Sequence, residues 1–326
     1  ECDVLFIDEC STVSNVDMVN ILQKTQFKLL VLVGDIYQIE SIRFGNWFAI
    51  ARSYIPQNAI CELTYVHRST DDVLKALWES VRKLDGRMAD LLDSNHYSVR
   101  MDESIFSKAN DDEIILCLNY GGLYGINNIN KFLQNDNKSK FVKLGMDIYK
   151  INDRIIFKEN ERFGDLLYNN LKGKIVDIED NGISVKFHIE VERAFNDLDV
   201  EDANFKLEKP RNKGKSIVSF DVEKFSNKDD DDKDSLSIVP FQIAYAVSIH
   251  KAQGLEYDSV KIVITDEIEE LISHNVFYTA ITRAKKNLKI YWTEKAQRYI
   301  LEEMHQMYNK QDASIIAKKF KLKMYS

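Results

Sequence analysis

Val4-Leu5-Phe6-Ile7-Asp8-Glu9 and Leu29-Leu30-Val31-Leu32-Val33-Gly34-Asp35-Ile36-Tyr37-Gln38 are two apolar runs that each end in polar side chains, with 27 residues from Asp8 to Asp35. Between them, Val16–Leu22 carries a short amphipathic helical pattern with Ser14 or Asn15 as its N-cap. Strand, helix and strand with apolar strands is the pattern of a parallel sheet covered on both faces. Carboxylates at the ends of such strands stand at the edge where open α/β sheets bind ligands. This stretch therefore predicts an α/β fold with a site at the strand ends.

Working outward, Asp71–Leu84 reads as a helix with Val73, Leu74, Leu77 and Val81 on one face and Gly86 as its stop. Ile114–Leu118 is a further buried strand, and Gly125–Leu133 a helix after it. The texture changes from about Phe141. Asp153–Phe157, Lys174–Ile178 and Ile183–Phe187 are short strands, and Asn181-Gly182 between the last two is a strong hairpin signal. They predict a small antiparallel, barrel-like module running to about Ser237. Lys228–Asp234 is an acidic run, read as a solvated loop because consecutive like charges repel. After Phe241 the α/β texture returns. Val260–Ile264 and Leu288–Tyr291 are its strands, and Asn275–Lys285 its helix, with Phe277, Ala280 and Ile281 packing and Arg283 pointing elsewhere. Lys295–Ser326 reads as a helix with a basic end at Lys318, Lys319, Lys321 and Lys323, packed on the surface. The β module is thus an insertion into an α/β domain.

Composition sets limits on function. A length of 326 residues suggests about two domains. Apolar content of 44% with 29% charged residues describes a soluble globular protein, and 12 Gly with 3 Pro argue against long flexible linkers. A net charge of −8 speaks against coating nucleic acid wholesale, while leaving room for a local basic groove. Cys2, Cys10, Cys61 and Cys117 show no CxxC pairing, which fits a reduced cytoplasmic setting. The longest apolar run, Leu29–Val33, is far short of the ~20 residues that cross a bilayer, so no membrane partner is expected. The first residues lack a methionine and start on an apolar strand, which reads as a chain cut inside a domain.

Five polar strings carry the chemistry. Asp8 suits Mg²⁺, and the adjacent Glu9 can orient and deprotonate a water. Gln38 has a donor and an acceptor, so it can bridge a γ-phosphate and that water. Glu62-Leu-Thr-Tyr-Val-His-Arg68-Ser69 offers one arginine and Phe277-Tyr-Thr-Ala-Ile-Thr-Arg283-Ala-Lys285 another. Two guanidiniums converging on a γ-phosphate would stabilise the charge that shifts in phosphoryl transfer. His250-Lys251-Ala-Gln253-Gly254-Leu-Glu256 is a polar string set between apolar segments, a costly placement unless a ligand or partner uses it. Each string also has a structural reading: strand-end acids capping a helix, a glutamine in a turn, an arginine in a surface ion pair.

Asp8-Glu9, Gly34-Asp35-x-x-Gln38, Leu63-Thr-x-x-x-Arg68-Ser69, His250-Lys-x-Gln-Gly-x-Glu256 and Tyr278-Thr-Ala-x-Thr-Arg283-Ala-Lys285 stand in the order of motifs II through VI of superfamily 1 helicases. The chain resembles that family over nearly its whole length, and its β module resembles the insertion of the RecD-like, 5′→3′ branch. The resemblance implies RecA-like parallel-sheet motor domains, the first partial, over 1–70 and over 71–145 with 241–326. It implies an inserted small β-barrel of Src-homology-three type over 146–240. It makes ATP and Mg²⁺ the cofactors and single-stranded DNA the partner. Asp8 would hold Mg²⁺, Glu9 would activate water, Gln38 would sense the γ-phosphate, and Arg68 with Arg283 would clamp it. Asp35, Gly254 and Glu256 would line the nucleotide cleft, and His250, Lys251, Gln253 and Lys285 would face the single strand.

Two departures qualify the resemblance. Ile39-Glu40-Ser41 stands where the family usually has Leu-Pro-Pro, which puts a DNA contact there in doubt. No G-x-x-x-x-G-K-[ST] occurs in the chain, and without that phosphate cradle ATP affinity should be negligible. The expectation is a C-terminal portion of a longer helicase whose missing N-terminal part supplies the cradle. The alternative is a helicase-derived DNA- or protein-binding module without catalysis.

Overall fold

The computed structural model describes residues 2–41, 45–107, 112–158, 162–212, 214–224, 236–305 and 310–325; the acidic run 228–234 lies outside them. In chain order the strands are β1 (Cys2–Ile7), β2 (Phe27–Leu32), β3 (Ser98–Arg100), β4 (Glu113–Cys117), β5 (Phe141–Leu144), β6 (Asp147–Lys150), β7 (Arg154–Phe157) and β8 (Lys172–Asp180). They continue as β9 (Ser184–Val191), β10 (Lys206–Asn212), β11 (Lys215–Glu223), β12 (Phe241–Ile243), β13 (Ala246–Ser248), β14 (Tyr257–Ile264) and β15 (Ala284–Trp292). The chain divides into two compact units, Glu1–Asp102 with Glu256–Ser326, and Glu103–Leu255.

In the first unit β1 pairs parallel with β2, Val4 opposite Leu29 and Ile7 opposite Leu32. The helix Asn15–Lys24 connects them, and the hydroxyl of its N-cap Ser14 accepts the backbone N–H of Asp17. The expected cover on both faces is not found among the described residues: Val4, Phe6 and Leu29 are 41%, 69% and 55% exposed. A sheet face is buried only where another layer lies on it, and this ladder has two strands. The same unit holds β14, β15 and β3, all parallel, with Tyr257 and Ser259 to Ile264 matched along β15 and Ile290 opposite Ser98. The helix Asp72–Lys83 begins at Asp71, whose carboxylate accepts from Val73 and Leu74. It stops at Leu84, in the left-handed conformation, two residues before the expected Gly86.

Two expected helices change in this unit. The one over Asn275–Lys285 is His274–Ile281 with Thr282 as its C-cap, and β15 starts at Ala284, so Arg283 lies between helix and strand. The Thr282 hydroxyl lies within hydrogen-bond reach of the carbonyls of Tyr278 at 2.9 Å and Thr279 at 3.0 Å, sharing its one proton between them at the helix end. The tail is not one helix from Lys295. It forms Glu294–Arg298, widens over Tyr299–Glu303, and forms a separate helix, Lys310–Phe320.

In the second unit β4 and β13 pair parallel, and the helix Ile126–Asp136 follows β4. β5 and β6 form a hairpin. The β module is an antiparallel ladder in the order β10-β11-β9-β8-β7-β12. At one edge of this ladder Phe241–Ile243 pairs with β7. Its inner face is aromatic and aliphatic: Phe157, Phe187, Phe220, Phe241, Ile175 and Val185 are all buried. The hairpin read from Asn181-Gly182 is present, with Gly182 at φ +84°, a conformation that costs a residue with a Cβ about 1–2 kcal/mol. Asp153 is fully buried yet satisfied, accepting from Gln134, Asn137, the Lys150 backbone and the Tyr245 hydroxyl. The molecule is thus α/β with parallel sheets and a separate antiparallel module.

Candidate nucleotide site

Asp8 and Glu9 emerge from the end of β1, both exposed. Asp8 Oδ1 accepts the backbone N–H of Glu9 at 2.8 Å. Glu9 itself is left-handed, φ 51° and ψ 42°, so the two carboxylates leave the strand through a sharp turn. Cys10 N–H donates to the Val33 carbonyl at 2.9 Å, tying this turn to the end of β2. Asp35 then follows. Its Oδ1 accepts the Tyr37 N–H at 2.9 Å and its Oδ2 faces Gln38 Nε2 at 3.4 Å.

Gln38 Oε1 meets Arg283 Nη2 at 3.4 Å. The Gln38 amide thus uses its donor toward Asp35 and its acceptor toward Arg283, both of them protein groups. Arg283 is fully buried, its Nε donating to the Thr279 carbonyl at 2.9 Å and its Nη2 to the Thr282 hydroxyl at 3.1 Å. Burial, helped by the neighbouring Arg68 charge, lowers its pKa to about 10, while Glu9 and Asp35 act in the opposite sense. It remains a cation at neutral pH.

Arg68 reaches the same turn from another segment. Its Nη1 donates to the Thr282 carbonyl at 2.7 Å, and its Nε lies 3.9 Å from Glu256 Oε2. Ser69 Oγ donates to the Lys285 carbonyl at 2.5 Å. Both guanidiniums therefore converge on Thr282, one on its hydroxyl and the other on its carbonyl. Glu9, Asp35, Gln38, Arg68, Glu256 and Arg283 all belong to the first unit.

The remaining predicted residues are placed differently. Lys285 Nζ is 3.7 Å from Asp258, whose carboxyl is held below the usual range chiefly by its hydrogen bond to Lys286. Lys285 is thus engaged by an acid. His250, Lys251, Gln253 and Gly254 lie in the second unit, on the turn that follows β13. Lys251 Nζ donates to Gln242 Oε1 at 2.7 Å, and burial pushes the pKa of both Lys251 and His250 down. Gly254 has φ +76°, so the turn itself requires glycine there.

For Mg²⁺, no group of three or more Cys, His, Asp or Glu among the described residues could hold a metal ion alone. Mg²⁺ commonly binds through one or two carboxylates plus phosphate oxygens and water. The exposed carboxylate of Asp8, with one oxygen turned to its own backbone, fits that single-ligand role. The Gly214-Lys215-Ser216 sequence supplies no phosphate cradle. It opens β11, Lys215 pairs with Glu190 at 3.2 Å, and the Ser216 hydroxyl accepts the Phe195 N–H.

Several contributors were not read from the sequence. Asn275 Nδ2 donates to the Gln38 carbonyl at 3.0 Å, and the Ile39 N–H donates to Thr279 Oγ1 at 3.0 Å. Tyr37, one of the unassigned positions between Asp35 and Gln38, packs edge-on against His274 and Tyr278. The spacing of a motif marks the groups that meet the ligand, and these residues instead hold the motif in place.

The profile of the UvrD-like helicase C-terminal domain matches residues 243–291, and that of an AAA domain matches residues 1–101. An uncharacterised protein of Methanocaldococcus jannaschii is 24% identical over 371 aligned residues, 92% of this chain and 30% of that protein. The RecBCD enzyme subunit RecD of Buchnera aphidicola is 23% identical over 209 residues, 59% of this chain and 28% of that protein. The chain therefore spans about three-tenths of the length of these curated relatives. Among solved structures, Pif1 helicase from Bacteroides in complex with ADP-AlF3 and single-stranded DNA is similar in fold, with a TM-score of 0.54 at 16% identity over 97% of this chain and 76% of that one.

Proposed function

We propose that this chain, which is related to the superfamily 1 helicases of the RecD-like branch, is the part of an ATP-dependent DNA helicase that senses the γ-phosphate and couples its hydrolysis to movement along single-stranded DNA. The observation that carries the reading is the buried Arg283 facing Gln38, with Arg68 on the same turn. Two guanidiniums that meet at one turn beside a polar amide are suited to stabilise the charge that shifts in phosphoryl transfer.

In this reading Glu9 draws a proton from the attacking water, Gln38 orients that water, and Arg68 with Arg283 stabilises charge on the transferring group. Asp8 would hold Mg²⁺, which when bound neutralises charge on the β- and γ-phosphates. Asp35, Gly254 and Glu256 line the nucleotide side. His250, Lys251, Gln253 and Lys285 face the strand. We assign residues 1–70 to the first motor domain, 71–145 and 241–326 to the second, and 146–240 to a Src-homology-three type barrel. The phosphate cradle comes from residues of the intact protein outside these 326, so this chain alone does not turn over ATP.

The test is ATP hydrolysis by the full-length gene product with and without single-stranded DNA. Turnover stimulated by the strand supports the motor. Strand binding without turnover would favour the second reading, a non-catalytic binding module, to which the lack of a phosphate cradle also points.

A further inference from the structure

The loop Asp35–Ile39 is fastened to the helix His274–Ile281 at three places. Asn275 holds the Gln38 carbonyl, Thr279 holds the Ile39 N–H, and the Tyr37 ring fills the space between, 6.2 Å from His274 and 6.1 Å from Tyr278 by ring centroid. His274 is buried and locked in turn, its Nε2 2.7 Å from the Val81 carbonyl. Over the Tyr37 ring lies Arg82, its guanidinium carbon 5.3 Å from the centroid. Arg82 donates a hydrogen bond to Glu62 at 3.0 Å and forms an ion pair with Glu79 at 3.3 Å. Glu62 opens the segment that carries Arg68, and the helix beneath Tyr37 runs directly into Arg283.

Each of the three groups facing the γ-phosphate therefore leads back to one stack. Gln38 is the neighbour of Tyr37, Arg283 follows the helix on which Tyr37 rests, and Arg68 follows Glu62, which Arg82 holds. We infer that Tyr37 and Arg82 form a positioning pair, a cation–π clasp that keeps Gln38, Arg68 and Arg283 in mutual register. This rests on the reading of the site as a γ-phosphate sensor. Such a clasp needs an aromatic face and a cation, and it does not need the phenol oxygen. Small displacements of groups around a reacting phosphate are expensive, because their contribution depends on orientation.

The experiment uses the full-length product and two ligands, ADP alone and ADP with aluminium fluoride, which mimics the transferring phosphoryl group. In Tyr37→Leu and Arg82→Gln the preference for ADP–aluminium fluoride over ADP should fall about ten-fold while ADP affinity stays within about two-fold. Turnover number should fall with it and KM for ATP should not. Tyr37→Phe should restore both readouts, and the double variant should be no worse than either single one. A merely structural role would leave the ligand preference unmoved, and that result in the soluble Arg82→Gln protein would overturn the inference even if Tyr37→Leu misfolds. Failure of the underlying reading looks different: the unaltered protein would then show no preference for the aluminium fluoride complex.

Discussion

Phe6 on β1, a largely apolar run (CDVLFI), is 69% exposed, whereas Phe187 on β9, an alternating strand (SVKFHIEV), is fully buried. The two surroundings differ in what covers them. β1 and β2 form a two-stranded ladder, and the candidate site residues Asp8, Glu9 and Asp35 lie where its strands end. The six-stranded antiparallel ladder closes an aromatic core, and none of the candidate site residues lies on it. Within these residues, the candidate site and the aromatic core lie on different strands.

Three substitutions test that division. The largest effect is expected for Arg283→Ala in the full-length protein, where strand-stimulated ATP turnover should fall about 10³-fold or more. Turnover within a few-fold of the unaltered protein would remove the site from this part of the molecule. Next, urea denaturation of the 326-residue chain should show Phe187→Ala costing about 3–5 kcal/mol. The same measurement on Phe6→Ser should give a change within about 0.5 kcal/mol. Equal costs would mean that β1 is covered as well as β9, and the contrast would disappear.

The smallest expected effect is a pH dependence. Burial holds the His250 pKa below its ordinary 6.5, so the unfolded chain takes up the proton first as pH falls. The stability tied to neutral His250 is complete above about pH 6.5 and is lost as pH drops from that value through the folded pKa. Between pH 7 and pH 5 the thermal midpoint should therefore fall by about 2 °C more in the unaltered chain than in His250→Asn. Equal slopes would mean that His250 is as well solvated folded as unfolded.

The local signals in the sequence were strong where chain geometry alone decides. Asn181-Gly182 specified its hairpin, because the turn needs a left-handed residue next to two alternating strands. Val4–Ile7 and Leu29–Val33 specified parallel strands with acids at their ends, but an apolar run does not reveal whether anything lies against it. The helical pattern over Asn275–Lys285 runs past the real helix end at Ile281, because Arg283 is already in the link to β15. β10 and β11 were not read as separate strands; their register slips between Glu208 and Asn212, which interrupts the alternation that marks a strand. The clasp of Tyr37 and Arg82 joins residues far apart in sequence, and no spacing rule connects them.

Glu9 sits in a backbone conformation that costs a residue with a side chain of order 1–3 kcal/mol. Glycine or asparagine would occupy that position more comfortably. A search for heat-tolerant variants that scored only the folded population would be drawn to replace Glu9, and would discard the proposed water-activating carboxylate in doing so. Engineering this chain for durability and preserving its proposed chemistry are opposed at this one residue.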